Sequence, residues 1–266
     1  GADRTPVPLG DRYRAMDITV RAEVDRVFDA VRPEAVIHAA AMTNVDACET
    51  DPEACRLQNV TATQHLVDAA KRHGSHFIFL STDFIFDGLD GPYREEDAAA
   101  PLSVYGHSKL EGERIVMGAG LAKWAIARTI IVFGVAPGLS RGNVVLWAKG
   151  ALEKGQPIKV VDDQWRMPTL AEDLADGCIR IAKRGATGIY NLSGPDGMSI
   201  LELVTRVGRF FNLDTSLVTP VKSDALGQPA KRPPRTGFVL DKARRDLGYA
   251  PHGFEDGLAV VRDQLK

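Results

Sequence analysis

Two polar motifs in the sequence contain side chains that could exchange protons with a substrate. The first, LSTDFIFDG at residues 80–88, places Ser, Thr and Asp directly after an apolar run. Ligands of open α/β sheets lie beyond the carboxyl ends of the strands, so we expect the Thr82 hydroxyl to face a substrate. A strand-ending turn or a helix cap is the alternative interpretation, because the same residue types are common there.

The second motif, YGHSK, runs from Tyr105 to Lys109 and begins twenty-three residues after Thr82. On a helix, Tyr105 and Lys109 lie one turn apart on the same face. A phenol with a pKa of about 10 is a poor proton donor at neutral pH, and a nearby ammonium stabilises the phenolate. Thr82 could then hold a substrate carbonyl against Tyr105 while hydride arrives from a nicotinamide. The alternative is a surface pair on a helix, and the preceding strand that ends in Ser-Thr-Asp argues against it.

Short apolar runs alternate with segments of helical apolar spacing, and these elements must position the two motifs. Strands are predicted at residues 35–41 (AVIHAAA), 77–80 (FIFL) and 125–132 (AIARTIIV). Helices are predicted at residues 21–31, 52–73 and 104–117. Helices between strands indicate parallel pairing. The predicted fold class is therefore α/β, a Rossmann-like doubly wound parallel sheet with both faces covered.

The chain changes in character near residue 136, where the loop APGLSRGN is followed later by GQPAKRPPRTG. Residues 1–135 are predicted to form the main domain, and residues 136–266 mainly a smaller lobe. The segment GIYNLSG at residues 188–194 reads as a strand that returns to the main sheet. The two parts are therefore expected to be interleaved.

The composition is that of an ordinary globular protein. Of the 266 residues, 44% are hydrophobic and 26% are charged, so the chain can bury a sizeable core. A net charge of −2 argues against nucleic acid and anionic lipid as partners. The three cysteines have neither a disulfide-framework spacing nor a zinc-ligand spacing, and no apolar run approaches about 18 residues. We expect a soluble, cytoplasmic protein that binds no membrane.

Several blocks of sequence, in order and at consistent spacing, resemble one known family. They are AAAMTNVDACE (39–49), STDFIFDG (81–88), PYREEDAAAPLSVYGHSKLEGE (92–113), ARTIIVFG (127–134) and VVDDQWRMPTLAEDLA (160–175). The family is the extended short-chain dehydrogenase/reductases, and the similar branch is that of the dTDP-4-dehydrorhamnose reductases of dTDP-rhamnose biosynthesis. The resemblance runs from about residue 13 to the C-terminus. It implies an oxidoreductase that reduces a nucleotide-linked 4-keto-6-deoxysugar with NADPH or NADH.

The resemblance also implies roles for individual residues. Tyr105 is the proton donor, Lys109 lowers the phenol pKa and contacts the nicotinamide ribose, and Thr82 orients the substrate. Residues 1–135 become an NAD(P)-binding domain. The implied cofactor contacts are Asp17, Ile18, Ala39, Ala40, Ala41, Thr43, Asn59, Tyr105 and Lys109. Asn59 is expected to support the catalytic lysine.

Residues 136–266 become, by the same resemblance, the lobe that binds the nucleotide sugar. The implied substrate contacts are Thr82, Asp83, Arg128, Asn143, Gln164, Trp165 and Arg232. Guanidinium groups offer paired donors to phosphate, and aromatic rings pack on bases or sugars. A structural ion pair is an equal alternative for Arg128, and a basic surface loop is the alternative for Arg232. The branch usually has Gly-Ala or Gly-Ser where this chain has Arg166-Met167, and this departure leaves the identity of the sugar open.

The first 12 residues, GADRTPVPLGDR, lack the strand and the Gly-x-x-Gly-x-x-Gly turn with which such a domain begins. Relative to the family, about 30 to 40 residues of a βαβ unit are missing. Removing central parallel strands leaves backbone groups unpaired, so we expect the natural protein to be longer at its N-terminus. The choice between NAD and NADP depends on that segment and stays open.

Other functions are compatible with the same branch. The main rival is a non-catalytic binding or regulatory subunit, because the regulatory β-subunit of methionine adenosyltransferase keeps this fold and acts through a partner enzyme. An epimerase or dehydratase is a weaker alternative, since dehydratases usually place an acidic pair beside the catalytic threonine and here Phe84 follows Asp83. No metal is expected. The acidic residues 95–97 are interpreted as a solvated loop, with a cation between the subunits of a homodimer as the alternative.

Overall fold

The computed structural model describes residues 14–136 and 142–266. In the first of these ranges, helices and strands alternate along the chain. Their bounds are α1 Arg21–Val31, β1 Ala35–His38, α2 Val45–Thr50, α3 Pro52–Arg56, α4 Ala62–His73, β2 His76–Thr82, α5 Val104–Gly118, β3 Trp124–Thr129 and β4 Val132–Phe133. A π-helical turn, Leu57–Thr61, joins α3 to α4, and a 3-10 turn, Asp83–Ile85, follows β2.

The second range contains shorter strands and longer connections. Its elements are α6 Val144–Glu153, β5 Ile158–Val161, β6 Trp165–Arg166, β7 Thr169–Leu170, α7 Ala171–Arg184, β8 Gly188–Asn191, β9 Met198–Ser199, α8 Ile200–Phe210, β10 Val218–Val221, α9 Asp241–Leu247 and α10 Phe254–Gln264. Two 3-10 turns, Thr215–Leu217 and Ser223–Leu226, flank β10. None of the helices described in the two ranges is long and apolar enough to cross a membrane.

The central sheet has four parallel strands in the order β1-β2-β3-β8. Ser81 of β2 pairs with Arg128 of β3, which pairs in turn with Asn191 of β8. Because the strands are parallel, their carboxyl ends meet at one edge of the sheet, and this edge is where ligands of open α/β sheets lie. The expected α/β fold with a parallel sheet is confirmed.

The two faces of the sheet are covered by different helices. Phe77 and Phe79 of β2 pack with residues of α1, α4 and α5, whereas Ile78 packs with residues of α7 and α9. Adjacent residues of a strand point to opposite faces, so β2 contributes to both cores. Each of these fully buried side chains stabilises the fold by about 1.5–3 kcal/mol relative to an exposed one.

A third apolar core lies in the second half of the chain, between α6, α8 and α10. The parallel pair β5–β10 borders this part, and the antiparallel pair β6–β9 and the parallel pair β4–β7 connect its loops. Strand β8 pairs with β3 in the central sheet, as the sequence indicated for residues 188–194. The division into a domain of residues 1–135 and a lobe of residues 136–266 stays a prediction.

The helical segment at residues 52–73 shows both the strength and the limit of local sequence signals. Asp51 caps its start by accepting from Ala54 N, with Pro52 at the first position, and Gly74 ends it with a φ of 68°. These signals set the predicted bounds. The π-helical turn inside the segment was not predicted, and strand β1 is shorter than the predicted 35–41 because residues 39–44 form a loop.

Within the described residues, β1 pairs only with β2. The expectation of a further N-terminal βαβ unit was argued from residues 1–12, which lie outside the described ranges. These contacts do not test it, and it stays a prediction.

Candidate active site

The start of α5 is held tightly beside the end of β2. Ser103 Oγ accepts a hydrogen bond from Gly106 N at 3.2 Å, and Glu49 Oε1 accepts one from Val104 N at 2.8 Å. A Cβ at Gly106 would lie 2.3 Å from the Phe84 carbonyl oxygen, so only glycine allows this approach. The close contact brings the Tyr-x-x-x-Lys motif next to the Ser-Thr-Asp motif.

Thr82 and Tyr105 meet at this junction, and both are buried. The Thr82 hydroxyl accepts a hydrogen bond from Phe84 N at 3.2 Å and donates one to Asp83 Oδ1 at 3.2 Å. The Phe84 ring packs edge-on against the Tyr105 ring, with centroids 5.8 Å apart. Burial raises the pKa of the Tyr105 phenol above its ordinary value, although the neighbouring Thr82 hydroxyl opposes the shift. Tyr105 therefore keeps its proton at neutral pH, whereas the sequence led us to expect Lys109 to lower the pKa of this phenol.

Lys109 lies one turn further along α5, with only 4% of its surface exposed. Its Nζ sits 4.0 Å from the centroid of the Phe79 ring. Burial lowers the pKa of Lys109 to about 7, and the Glu113 carboxylate opposes that shift. In the part of the chain that the structure describes, no group accepts a hydrogen bond from this ammonium. Its donors can therefore serve a ligand.

Asn59 connects the loop after β1 to the Tyr-x-x-x-Lys motif. Its side chain forms hydrogen bonds with both backbone groups of Met42, at 2.7 and 3.1 Å, and donates to Ser108 Oγ at 2.9 Å. Ser108 Oγ in turn donates to the Tyr105 carbonyl at 2.7 Å. The π-helical turn at Leu57–Thr61 places Asn59 in this position, and such turns are frequent at functional sites. Asn59 thus contacts the motif through Ser108.

The other residues expected to contact a dinucleotide lie around the same edge of the sheet. Ala39 and Thr43 are exposed, and Ala40 and Ala41 are partly exposed in the loop after β1. Asp17 accepts hydrogen bonds from the backbone and hydroxyl of Thr19, whereas the Ile18 side chain is buried in the core beside α1 and α4. Small side chains in this loop let a ligand approach the backbone closely, as a dinucleotide requires.

Arg128 is engaged in a buried ion pair. Its guanidinium contacts Glu113 through two hydrogen bonds, at 3.0 and 2.8 Å, and donates a third to the Glu95 carbonyl at 3.0 Å. Both side chains are buried, and paired bonds of this kind fix the guanidinium firmly. This is the structural ion pair that the sequence left as an equal alternative to substrate contact.

Asp83 is also buried and already partnered. Its Oδ2 accepts a hydrogen bond from Thr236 Oγ1 and lies 3.6 Å from Arg166 Nε. Burial raises the pKa of the Asp83 carboxyl, whereas Arg166, Thr236 and Thr82 oppose the shift. Its role as a direct substrate contact stays a prediction.

Three of the residues expected to bind substrate have structural partners. Asn143 caps α6 by accepting from the first backbone amides and donates to the Gly134 carbonyl at 2.7 Å. Gln164 is buried and donates to Ser223 Oγ at 2.8 Å. Arg232 forms two hydrogen bonds with Asp46, at 3.1 and 2.7 Å. Their roles toward a substrate stay predictions.

Trp165 differs from the other residues of this group because 42% of its surface is exposed. The Arg235 guanidinium lies 5.8 Å from its ring centroid. An exposed aromatic ring beside a cation is suited to stack on a base or a sugar. Among the described residues, no group of three or more His, Cys, Asp and Glu side chains could hold a metal ion.

Sequence reasoning missed Glu113, Arg166 and Thr236 as members of the site. Glu113 continues the four-residue spacing of Tyr105 and Lys109 on α5, so helical periodicity could have indicated it. Arg166 was noticed only as a departure from the family pattern. Thr236 carried no local signal, because its contact with Asp83 joins residues 153 positions apart.

Comparison with known proteins identifies related chains. Over 263 residues, the chain is 33% identical to dTDP-4-dehydrorhamnose reductase from Aggregatibacter actinomycetemcomitans, covering 94% of this chain and 87% of that protein. It is 30% identical over 221 residues to methionine adenosyltransferase 2 subunit beta from Xenopus tropicalis, covering 81% of this chain and 66% of that relative's length. The crystal structure of dTDP-4-dehydrorhamnose reductase from Bacillus anthracis in complex with NADP superposes with a TM-score of 0.87 at 28% identity, covering 94% and 87% of the two chains.

These relatives confirm the expected branch, and they support the expected class, a nicotinamide-dependent oxidoreductase. The RmlD substrate binding domain family matches residues 3–266, which is nearly the whole chain. The chain belongs to the RmlD substrate binding domain family.

Proposed function

We propose that this protein reduces the keto group of a nucleotide-linked 4-keto-6-deoxysugar, with NADPH or NADH as the reductant and Tyr105 as the proton donor. The observation that carries the proposal is the buried cluster of Thr82, Tyr105 and Lys109, in which Thr82 lies beside the Tyr105 phenol and Lys109 lies one turn along α5. The relatives named dTDP-4-dehydrorhamnose reductase support the substrate class.

The residues at the carboxyl edge of the sheet fit a nicotinamide dinucleotide. The alanine loop after β1 is open to a ligand, and the Lys109 ammonium has unused donors. Asp17, Ile18, Ala39–Ala41, Thr43, Asn59, Tyr105 and Lys109 would hold or border the cofactor. When bound, it supplies a hydride to the carbonyl carbon of the substrate.

The protein side of the reaction is the delivery of one proton. Thr82 and Tyr105 together hold the keto oxygen, and the Tyr105 hydroxyl transfers its proton to that oxygen as it gains negative charge. The raised pKa of the buried phenol keeps the proton in place until then. Lys109, when protonated, stabilises the phenolate that remains. The balance is one hydride to carbon and one proton to oxygen.

Replacement of Tyr105 by Phe tests this proposal, because it removes the hydroxyl and keeps the ring. We expect turnover of a nucleotide-linked 4-keto-6-deoxysugar to fall by at least about 100-fold, since a positioned acid contributes about 10²–10⁴-fold. Binding of NADPH or NADH should be nearly unchanged. The measurement is oxidation of NADPH or NADH by the full-length protein, followed by absorbance.

The matched control is His107→Ala, a change at an exposed position of the same helix. It should leave turnover close to the wild-type value. Undiminished turnover in Tyr105→Phe would contradict the role of the phenol.

The second candidate function is a non-catalytic regulatory subunit, favoured by the similarity to methionine adenosyltransferase 2 subunit beta. The intact set of Thr82, Tyr105 and Lys109 favours catalysis instead. The two candidates give different results in one preparation from source cells. A stoichiometric enzyme partner together with no oxidation of NADPH or NADH by any keto-sugar would support the regulatory subunit. A homodimer and a cytoplasmic location stay predictions.

A further inference from the structure

A buried ion pair lies directly behind Thr82. Arg166 and Asp83 are each only 2% exposed, and Arg166 Nε lies 3.6 Å from Asp83 Oδ2. Two charges are costly to remove from water unless their geometry is well fixed and their remaining donors and acceptors are satisfied. The position of this ion pair next to Thr82 therefore indicates a role in the site.

The guanidinium of Arg166 is fixed by backbone carbonyls. Its Nη1 donates to the Trp165 carbonyl at 2.7 Å, and its Nη2 donates to the Pro233 carbonyl at 2.8 Å. The Phe84 ring lies 5.7 Å from the guanidinium carbon. Arg166 thus cannot turn toward solvent without breaking several bonds, and its charge stays at Asp83.

The carboxylate of Asp83 has a different partner on each oxygen. Thr236 Oγ1 donates to Oδ2, the oxygen that also faces Arg166, so Oδ2 is engaged from two sides. The other oxygen, Oδ1, accepts the Thr82 hydroxyl at 3.2 Å. The orientation of the carboxylate therefore decides where the Thr82 hydroxyl points.

We infer that Arg166 and Thr236 are positioning residues, which act through Asp83 to fix the Thr82 side chain beside Tyr105. The inference rests on the proposed function of Thr82 and deepens it. Thr82 Oγ1 accepts from Phe84 N and lies beside the Tyr105 phenol, so one fixed rotamer of Thr82 sets both contacts. Rotation of the Asp83 carboxylate would remove the hydrogen bond that holds this rotamer of Thr82.

Through these contacts, residues of the second half of the chain position Thr82, which belongs to the first half. Arg166 belongs to β6, and Thr236 follows the segment of Pro233 and Pro234, whereas Thr82 ends β2 of the central sheet. A glycine at position 166 would have no side chain to reach Asp83. The arginine at this position therefore gives the chain a link between its substrate-binding residues and its proton donor.

The first test compares turnover in Thr236→Val, Arg166→Lys and Arg166→Met of the full-length protein. Thr236→Val is nearly isosteric and should fold, since it removes only the hydroxyl bonded to Asp83. We expect its kcat to fall about tenfold, the size of one hydrogen bond to a charged group, with KM changed by less than about threefold. Arg166→Lys should retain more turnover than Arg166→Met, because it keeps the charge. Wild-type kcat in both Thr236→Val and Arg166→Met would overturn the inference.

The second test needs no turnover and so separates this inference from the proposed function. The titration of the Asp83 carboxyl is followed by carbon NMR, with Asp83→Asn used for assignment. Thr236→Val, Arg166→Met and Thr82→Val should each raise its midpoint, because each removes a group that stabilises the carboxylate. The control is Arg245→Met, which removes an exposed guanidinium from α9.

The two tests have distinct failures. A protein that oxidises neither NADPH nor NADH with any keto-sugar, yet shows the three midpoint shifts, would lose the proposed reaction and keep the positioning contacts. A midpoint that is unchanged in Thr236→Val or in Thr82→Val would show that Asp83 does not link these hydroxyls, and the inference would be wrong.

Discussion

At the scale of single residues, the Lys109 ammonium is a charged group that is costly to bury. It is buried over an aromatic ring, and burial lowers its pKa from the ordinary value of 10.5 to about 7. Below pH 7 the ammonium is charged in both the folded and the unfolded chain, and the full cost of burial destabilises the fold. Above pH 7 the folded chain loses the proton while the unfolded chain keeps it to about pH 10.5, so the cost recedes as pH rises.

Lys109→Met should therefore stabilise the protein most at low pH. We expect the free energy of unfolding to rise by about 1–3 kcal/mol at about pH 6, with the difference between variant and wild type shrinking toward about pH 9. Urea denaturation at several pH values measures it. The control is Lys183→Met, at an exposed position of α7, where the difference should not change with pH. A constant difference for Lys109→Met would contradict the lowered pKa.

The sequence was sufficient to predict that Thr82 ends a strand and that Tyr105 and Lys109 lie one turn apart on a helix, because their spacing follows the geometry of these elements. It was insufficient for their partners. Arg166 and Thr236 reach Asp83 only through the folded chain, and neither position has a local pattern that reports burial. Arginine side chains are usually exposed, so the sequence alone predicts a surface position for Arg166, whereas the structure buries this side chain almost completely.

At the scale of elements, the packing of α5 on β2 depends on the absence of a side chain at Gly112. A Cβ there would lie 2.6 Å from Cζ of the Phe79 ring, the ring that supports Lys109. Phe79 is fully buried and packs at 5.6 Å from the His38 ring, so it cannot move aside cheaply. The helix and the sheet would have to separate to admit a methyl group.

Gly112→Ala should lower the free energy of unfolding by about 1–2 kcal/mol, because overpacking outweighs the gain of about 1 kcal/mol in helix propensity. The matched control is Gly118→Ala at the end of the same helix, where nothing lies within 4 Å of the added carbon. That variant should be unchanged or stabilised by up to about 1 kcal/mol. Chemical denaturation of both variants measures these changes, and equal stability of the two variants would contradict the close contact between Gly112 and Phe79.

Element boundaries were predicted where caps and glycines mark them, as at Asp51 and Gly74. The π-helical turn at Leu57–Thr61 was not predictable, because its hydrogen bonds follow from tertiary contacts of Asn59 with Met42 and Ser108. Strand β1 was predicted too long for a similar reason. The apolar run continues through Ala41, but no neighbouring strand pairs with it beyond His38 among the described residues.

At the scale of the whole molecule, Asp46 and Arg232 connect the two halves of the chain. Asp46 lies in the first turn of α2, beyond the alanine loop, and Arg232 precedes the segment of Pro233 and Thr236. Asp46 also accepts from Ala230 N at 3.2 Å. The contact therefore holds the segment that fixes Asp83 against the region where the cofactor is proposed to bind.

A double-mutant cycle of Asp46→Ala and Arg232→Ala should give a coupling free energy of about 1–2 kcal/mol, because the pair is bidentate and only partly exposed. Urea denaturation of the wild type, the two single variants and the double variant supplies the cycle. The control pair is Arg56 and Glu111, in which one guanidinium nitrogen contacts both carboxylate oxygens and both side chains are more exposed; it should couple by less than about 0.5 kcal/mol. Equal coupling free energies in the two pairs would contradict the expected contribution of the Asp46–Arg232 contact.

The parallel sheet and the return of β8 to it were predictable because each strand is a short apolar run with clear ends. The contacts between the two halves of the chain were not predictable, since Asp46 and Arg232 are separated by 186 positions and charged residues have many acceptable partners. Arg128 shows the same difficulty, as sequence alone weighed substrate contact and ion pair equally.

The position of Trp165 makes it suitable as a fluorescence probe. Its indole is 42% exposed, beside the Arg235 guanidinium and adjacent in sequence to Arg166. The other two tryptophans, Trp124 and Trp147, lie on β3 and α6. With both replaced by Phe, the protein would carry one intrinsic fluorophore at the place where a nucleotide sugar is expected to stack, and its emission would report ligand arrival in real time.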